Sequence, residues 1–206
     1  MQKFTAVIGF GFGILFAAPL HAANLNGTPI PLEVKIMQEP TEFADPFYSA
    51  FITSGENKFT FMIPQGLRLV GDTDSGRITL GNQAGNCSMS FTILSCSYGE
   101  DEGLNVETCR AEVLKNHENG KILQEFSGGI LGRSGPGFDV QWKVAENLYQ
   151  CERVVYIPTA YGIAVFRASA GRSGFTDAQS KLGLMMSTFR DSKDGKFRPI
   201  HIPSNS

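Results

Sequence analysis

The chain has 206 residues, and its 18 lysines and arginines against 20 aspartates and glutamates give a formal net charge of −2. A nearly neutral, slightly acidic chain lacks the basic surface that nucleic-acid binding requires, so we expect no nucleic-acid partner. Hydrophobic residues make up 42% of the sequence, and the length suits one domain with its own core.

The first 22 residues have the features of a secretory signal peptide. Lys3 supplies a short positive region, an uncharged apolar run extends from Phe4 to Leu20, and Ala22 and Ala23 are small. The run is at the short limit of a membrane span, so an uncleaved anchor is the alternative. We predict cleavage after Ala22 or Ala23, a periplasmic or secreted mature protein, and no membrane span after cleavage.

The first half of the mature chain is typical of short strands. Apolar residues alternate with polar ones over 32–36, which predicts an edge strand. The segment 47–51 suits either a strand or a short helix that starts at Asp45-Pro46. Alternation also predicts strands over 59–63, 77–80 and 87–96.

A helix is predicted from Val106 to Glu118, after the acidic cluster at 100–102. Asn105 is a suitable N-cap, and Gly120 ends the helix. His117, near the helix C-terminus, is interpreted as a solvated residue that interacts favourably with the helix dipole. The predicted buried stripe consists of Val106, Cys109, Val113 and Leu114.

The second half predicts an antiparallel meander followed by a closing helix. After a strand at 121–126, alternating or Val-rich runs at 138–144, 148–157 and 162–170 are joined by short turns. Thr176 and Gln179 form a predicted capping box for a helix over 175–190. Its apolar stripe consists of Ala178, Leu182, Met185, Met186 and Phe189.

These elements predict an α+β fold. We expect an antiparallel sheet of six or seven strands, flanked on its two faces by the helix at 106–118 and the helix at 175–190. The predicted organisation is a signal peptide at 1–22, a single domain at 23–190 and a tail at 191–206. The tail is interpreted as a loose segment or as one extra edge strand.

Four cysteines indicate two disulfides in an exported chain. Cys87, Cys96, Cys109 and Cys151 allow three pairings. Because Cys96 closes a strand and Cys109 lies on the next helix, we favour a bridge between them, and Cys87 would then pair with Cys151. A reactive thiol or a metal site is the alternative, although the chain lacks a Cys-x-x-Cys spacing.

The sequence offers no constellation typical of catalysis. After signal cleavage only His117 and His201 remain, and neither has a partner ligand three or four residues away. No nucleophile elbow, phosphate loop or dinucleotide fingerprint is present. We therefore predict no catalytic, cofactor-binding or metal-binding residue, no cofactor, and a protein that is not an enzyme.

The region 59–189 resembles the Mog1/PsbP-like family. The resemblance depends on the opening Phe-Thr-Phe-Met-Ile-Pro-Gln-Gly at 59–66, the order of elements after it, and Ser187-Thr188-Phe189 at the end of the last helix. It implies a non-enzymatic module that binds or steadies other proteins on an antiparallel sheet covered by helices on both faces. The four cysteines depart from the general pattern of the family.

Two functional hypotheses follow. The first is an exported, non-catalytic module for protein interaction, with an exposed sheet edge or apolar patch and an unknown protein partner. The alternative is a carrier of an apolar or amphiphilic small molecule, held in a cavity between sheet and helix that is lined by Phe, Met and Trp142. A hydrolase is a third and weaker hypothesis, because no general base is evident.

Overall fold

The computed structural model describes residues 27–39, 47–70, 75–95 and 104–192. The predicted signal peptide, Cys96, the acidic cluster at 100–102 and the tail beyond Ser192 lie outside these residues. Among the described residues, no helix is both long and apolar enough to cross a membrane.

The described residues form two α-helices and a larger number of strands, and most of the strands follow the alternation of apolar and polar residues in the sequence. A 3₁₀ turn at Arg172–Gly174 leads into the second helix. The helices are α1 (Val106–Lys115) and α2 (Phe175–Ser187), and the strands are β1 (Thr28–Pro29), β2 (Glu33–Glu39), β3 (Phe47–Ser54), β4 (Asn57–Ile63), β5 (Leu67–Leu69), β6 (Arg77–Asn82), β7 (Cys87–Ser95), β8 (Lys121–Ile130), β9 (Arg133–Ala145), β10 (Leu148–Thr159), β11 (Gly162–Gly171) and β12 (Arg190–Asp191).

Within the described part of the chain, the larger sheet has eight strands and is antiparallel. Its order is β5-β6-β7-β11-β10-β9-β8, and β1 pairs with the far end of β7. Strands β9, β10 and β11 form the predicted meander, with Val155 opposite Gly137 on one side and Phe166 on the other. The meander is therefore confirmed, and it forms the half of the sheet that ends at β8.

A second, four-stranded sheet was not predicted. Its order is β12-β4-β3-β2. The segment at 47–51, for which a strand and a helix were both considered, is thus a strand. The strand β2 lies at an edge, as predicted. The prediction of one sheet with six or seven strands is wrong. Alternation shows that a segment is a strand but does not show which strand it pairs with, and the chain changes sheets at the turn after β4.

Alternate residues of the central strands belong to two different hydrophobic clusters. In β11, Ala164, Phe166 and Ala168 belong to a cluster that also contains α2 residues and the inner residues of the smaller sheet. Ile163 and Val165 belong to a cluster that contains α1 residues. We call these two sides of the larger sheet the α2 side and the α1 side.

The two helices match their predicted positions but differ in detail. Asn105 accepts a hydrogen bond from the Thr108 amide at 3.1 Å, so the predicted cap of α1 is confirmed. The predicted stripe is only half correct, because Cys109 and Val113 are buried whereas Val106 and Leu114 are 44% and 37% exposed. The helix also ends at Lys115, before the predicted boundary.

The stripe of α2 is confirmed, but its predicted capping box is wrong. Ala178, Leu182, Met185 and Met186 are buried, and Phe189 is buried just beyond the helix. The N-cap is Gly174, which makes no side-chain cap, because the 3₁₀ turn starts the helix earlier than the box requires. Thr176 therefore lies within the helix.

Candidate functional site

Polar side chains occupy the part of the α1 side that lies on β6, β7 and β11. We call this surface the polar face. It lies beside the region where α1 residues pack on Phe138, Val140 and Val154. Its members are half-buried and are placed on one side of the sheet by the strand register: Arg77, Thr79, Ser88, Ser90, Arg167 and Ser169, with Glu152 on the neighbouring β10.

Glu152 joins the polar face to the end of α1. Its Oε2 atom accepts a hydrogen bond from Arg167 Nη1 at 2.9 Å and lies 3.1 Å from His117 Nε2. The side chains of Arg167, Glu152 and His117 are only 14%, 12% and 8% exposed, respectively. One carboxylate oxygen thus links β10, β11 and the segment after α1.

The charges of this cluster stabilise one another. Burial by itself opposes the ionisation of Glu152, but Arg167 and His117 outweigh it and hold the pKa of Glu152 below its ordinary value. Burial likewise opposes the charge of Arg167, and Glu152 overcomes that effect, so the pKa of Arg167 is raised. Glu152 and Arg167 therefore form a buried ion pair in which both groups are charged.

His117 is a structural part of this cluster, which corrects its interpretation as a solvated residue. Its Nδ1 lies 2.7 Å from the Val113 carbonyl, and its ring lies 4.3 Å from the ring of Trp142. A carbonyl and a carboxylate can only accept hydrogen bonds, so both contacts are hydrogen bonds when both ring nitrogens carry protons. The chain folds back after α1, and this reversal places His117 over the sheet.

Arg77 has no partner of its own among the described residues. No hydrogen bond or ion pair joins its guanidinium to another residue in these ranges. Its pKa is lowered, first by burial and then by the positive charge of Arg167, while the charge of Glu152 opposes this. Arg77 therefore brings a positive charge to the polar face that no described acid neutralises by contact.

Two buried polar atoms face the same side of the sheet without a partner in the described structure. The Tyr156 hydroxyl and Gln150 Oε1 make no hydrogen bond. Burial raises the pKa of Tyr156 far above its ordinary value, so the hydroxyl keeps its proton. Glu112 of α1 is buried nearby and accepts a hydrogen bond from Asn116 at 3.1 Å.

The α2 side carries a second, fully paired polar cluster. Asp139 accepts two hydrogen bonds from Arg153 at 2.7 and 2.8 Å and a third from Gln179 at 2.8 Å. The Arg153 guanidinium also lies 4.4 Å from the centroid of the Phe126 ring. Gln179, assigned to a capping box by the sequence, thus connects α2 to the meander.

The structure contradicts the predicted disulfide between Cys87 and Cys151. Ala170 of β11 pairs with both residues, so β11 separates the two cysteines. Two strand spacings place their Cα atoms roughly 10 Å apart, whereas a disulfide requires about 4.4–6.8 Å. Cys87, Cys109 and Cys151 are buried thiols.

Burial keeps the described thiols protonated. It raises the pKa of Cys109 to about 11 and raises the pKa values of Cys87 and Cys151 as well. Since the thiolate is the reactive form, these thiols are poor nucleophiles at neutral pH. Among the described residues, no group of three or more His, Cys, Asp or Glu side chains could hold a metal ion.

Among the strands that the structure describes, β8 is at one edge of the larger sheet. Within the described residues this strand pairs with β9 alone. A register shift at Leu123 interrupts the pairing, and regular pairing then continues from Gln124 to Ile130. We call Gln124–Ile130 the β8 edge. An unpaired strand of this length offers a row of backbone donors and acceptors to another strand.

The Glu152–Arg167–His117 cluster was not predicted from the sequence, although two of its residues occupy unusual positions. Glu152 and Arg167 are charged residues in the middle of two predicted strands rich in buried apolar residues. A charge in such a strand is buried with a partner or marks a site. Strand order, which the sequence did not provide, identifies each as the partner of the other.

Several solved structures are similar to this chain. LpqN of Mycobacterium tuberculosis, described as involved in cell envelope biogenesis, has 12% identity and a TM-score of 0.48, over 76% of this chain and 91% of that chain. The Ran-binding protein Mog1p of Saccharomyces cerevisiae has 11% identity and a TM-score of 0.49, over 77% and 96%. PsbP of the cyanobacterium Synechocystis has 10% identity and a TM-score of 0.42, over 84% and 98%.

The family that the sequence resembles is thus represented among these structures, which include proteins named Mog1 and PsbP. No protein-family model matches the chain, and no curated protein matches it in sequence.

Proposed function

We propose that this chain is an exported, non-catalytic module that binds another protein by adding an extended segment of it to the β8 edge. The proposal depends on the free side of Gln124–Ile130, where the backbone groups have no partner strand among the described residues. An added strand satisfies such groups with main-chain hydrogen bonds, and side-chain contacts then provide specificity.

The composition of the β8 edge supports strand addition there. Its only charged residue, Glu125, is held by Arg110 of α1 through hydrogen bonds of 2.8 and 2.6 Å. Gly128 and Gly129 keep it narrow, and a Cβ atom on Gly128 would lie 2.4 Å from Val155 Cγ1. An edge with a single, already paired charge and small residues admits another strand more readily than a highly charged or bulky edge.

The edge of the smaller sheet offers a contrast. Three of the seven residues of β2 are charged: Glu33, Lys35 and Glu39. Charged side chains are a common protection of sheet edges against unwanted pairing. Of these two long edges, the β8 edge is therefore the better candidate for a partner.

Exposed apolar side chains lie beside the start of β8. Leu123, Val144 and Leu148 are 49%, 48% and 42% exposed. The register places the first residue of β8 opposite Gln141, close to the turn that joins β9 to β10. A partner strand that extends past the β8 edge would cover this corner.

The geometry of the buried cluster supports a non-catalytic role. Both nitrogens of His117 are engaged, one by a backbone carbonyl and one by Glu152. A general base needs a nitrogen or oxygen within reach of a substrate proton. We propose that His117 and Glu152 hold the end of α1 on the sheet and that neither acts in catalysis.

The carrier hypothesis has less support. In the space between the larger sheet and α2, the ring centroids of Phe91, Phe166 and Phe189 lie 5.0 to 5.5 Å apart. Trp142, expected to line a cavity, packs on His117 instead. We also infer that α1 and α2 cover opposite faces of the sheet, since their residues belong to the two separate clusters.

Site-specific photo-cross-linking in the producing cells tests the proposal. A photoreactive residue replaces Gln124 and is combined with Ser127→Lys, which places a charge on the β8 edge. In the matched control it is combined with Ser180→Lys, at an exposed position of α2. We expect one protein neighbour whose capture falls at least about tenfold with Ser127→Lys and is unchanged in the control.

Hydrogen exchange with the purified neighbour completes the test. Amides of residues 124–130 exchange more slowly in the complex if a strand is added there. The proposal fails if capture is insensitive to Ser127→Lys, if these amides are unaffected, or if the neighbour is a second copy of this chain.

Export is the second part of the proposal and has its own measurement. N-terminal sequencing of the mature protein from the cell envelope or the medium should begin at Ala23 or Asn24, after removal of the predicted signal peptide. A cytoplasmic protein that begins at Met1 would contradict it.

A further inference from the structure

The polar face has features that strand addition at the β8 edge does not use. Thr79, Ser90 and Arg167 lie in one row across β6, β7 and β11, because Ser90 pairs with both of the others. Arg77 is two residues before Thr79 on the same strand, so its side chain is on the same side of the sheet. Two guanidinium groups and two hydroxyls therefore share one half-buried patch.

The two arginines differ in how their charge is compensated. Arg167 is neutralised by Glu152, whose Oε2 accepts its hydrogen bond at 2.9 Å. Arg77 has no such contact within the described ranges, although it is half-buried. A guanidinium removed from water without a partner is unfavourable, because its five N–H donors lose hydrogen bonds to solvent.

The hydroxyls next to Arg77 are also available. No hydrogen bond involves the Thr79 or Ser90 side chain among the described residues, whereas Thr92, in the row beside them, donates to the Gly76 carbonyl at 2.5 Å. Hydroxyls can donate to an anion and so supplement an arginine. Within the described residues, neither Arg77 nor these two hydroxyls contacts a negatively charged oxygen.

We propose that the polar face binds a small oxyanion, a carboxylate or phosphate group, through the guanidinium of Arg77 and the hydroxyls of Thr79 and Ser90. Arg167, fixed by Glu152, adds positive potential but keeps its own partner. Carboxylate and phosphate present the same chemistry to this patch, since each offers two or more oxygens to a planar guanidinium. The site is independent of the β8 edge.

Thermal unfolding of the mature chain in the presence of inorganic phosphate or acetate tests this site, with sodium chloride used to hold the ionic strength constant. A ligand that binds only the native state raises the unfolding temperature in a saturable manner. We expect saturation by at least one of the two probes. Response to acetate alone indicates a carboxylate ligand, and response to phosphate alone indicates a phosphoryl ligand.

Variants then locate the effect. Arg77→Gln should weaken binding of the effective probe at least about tenfold, and Ser90→Ala, which removes one hydroxyl, about threefold. Arg133→Gln, which removes an exposed arginine from the start of β9, in the other half of the sheet from β6, serves as the matched control and should leave affinity unchanged. Circular dichroism establishes that each variant is folded, and Ser90→Ala still decides the test if Arg77→Gln does not fold.

The proposal is overturned if neither probe gives a saturable shift in the wild type. It is also overturned if Arg77→Gln binds the probe with the same affinity as the wild type. If Arg77→Gln does not fold, wild-type affinity in Ser90→Ala overturns the proposal. An equal loss in Arg133→Gln would show that the anion responds to overall charge and not to this patch, and would likewise reject the site.

Discussion

The two sides of the eight-stranded sheet use the same strands differently. On the α2 side, β7 and β11 present apolar residues such as Phe91 and Phe166, which share a cluster with residues of α2 and of the smaller sheet. On the α1 side, the same strands present Ser90 and Arg167 beside an apolar cluster that includes α1 residues. One side therefore provides most of the core, while the other is divided between core and a polar surface.

The comparison shows how a small domain can carry a polar surface on strands that are also its core. Alternate residues of a strand point to opposite sides, so β11 contributes Phe166 to one side and Arg167 to the other. The apolar side supplies cohesion through burial, roughly 25 cal/mol for each Å² of apolar surface removed from water. The α1 side can then hold charges that contribute less to stability.

The largest effect is expected on the apolar side. Phe166→Ala should lower the free energy of unfolding by about 3–5 kcal/mol, because it leaves a cavity in a fully packed core. The ring of Phe166 lies 5.0 Å from Phe91 and 5.5 Å from Phe189, measured between centroids. Urea unfolding measures the change. The exposed Leu184→Ala is the control and should change stability by no more than about 0.5 kcal/mol.

A cost below about 1 kcal/mol for Phe166→Ala would contradict the assignment of the main core to the α2 side.

A smaller effect is expected from the ion pair on the α1 side. Arg167→Met should cost about 3 kcal/mol, because it leaves the buried Glu152 carboxylate without its main partner. The double variant Arg167→Met with Glu152→Leu should recover most of this loss, since both buried charges are then removed. A double-mutant cycle by urea unfolding measures the coupling.

The exposed pair Lys181–Asp177 provides the comparison for that cycle, and its coupling should be about 0.5 kcal/mol or less. Equal coupling in the two pairs would mean that burial adds nothing to the Glu152–Arg167 interaction.

The pH dependence of stability should isolate Glu152. Its folded-state pKa is lowered by Arg167 and His117 against the effect of burial. Its contribution is therefore present above the unfolded pKa of about 4.3 and is lost as pH falls through the lower folded-state pKa. The stability difference between wild type and Glu152→Gln should shrink as pH falls below about 4.

Urea unfolding at a series of pH values measures this difference, and Glu33→Gln on the exposed edge of β2 is the control. A difference that stays constant down to pH 3 would mean that the pKa of Glu152 is the same in the folded and unfolded protein, which contradicts the prediction.

The smallest effect concerns how the two helices begin. Asn105→Ala should cost about 1 kcal/mol, because it removes the side chain that accepts from the Thr108 amide at the start of α1. Thr176→Ala should change stability by no more than about 0.5 kcal/mol, because Thr176 lies within α2 and does not cap it. Thermal and urea unfolding compare the two variants, and equal losses would restore the capping box that the structure rejects.

Local patterns were sufficient for most elements. The turns and alternation of the meander predicted β9, β10 and β11, and Asn105 was a recognisable cap because its side-chain bond spans three residues. Predictions failed where the partner is distant in sequence. Glu152 and Arg167 lie on neighbouring strands, and His117 reaches Glu152 only after the chain has turned back from α1.

The cysteines illustrate the same limit. Their even number predicted two bridges, but strand order places β11 between Cys87 and Cys151. A bridge between Cys96 and Cys109 stays a prediction, since Cys96 lies outside the described residues, and peptide mapping under non-reducing conditions tests it. In the structure Cys109 is a buried thiol.

Local patterns in the sequence were sufficient for the α+β class, for the positions of both helices and for most of the strands, since periodicity and turn chemistry act over a few residues. Only the tertiary structure shows, for the described residues, that the strands form two sheets, that Arg167 meets Glu152 while Arg77 has no contact partner, and that β8 ends the larger sheet. These features depend on which strands become neighbours, and that choice is made by the burial of the whole chain at once.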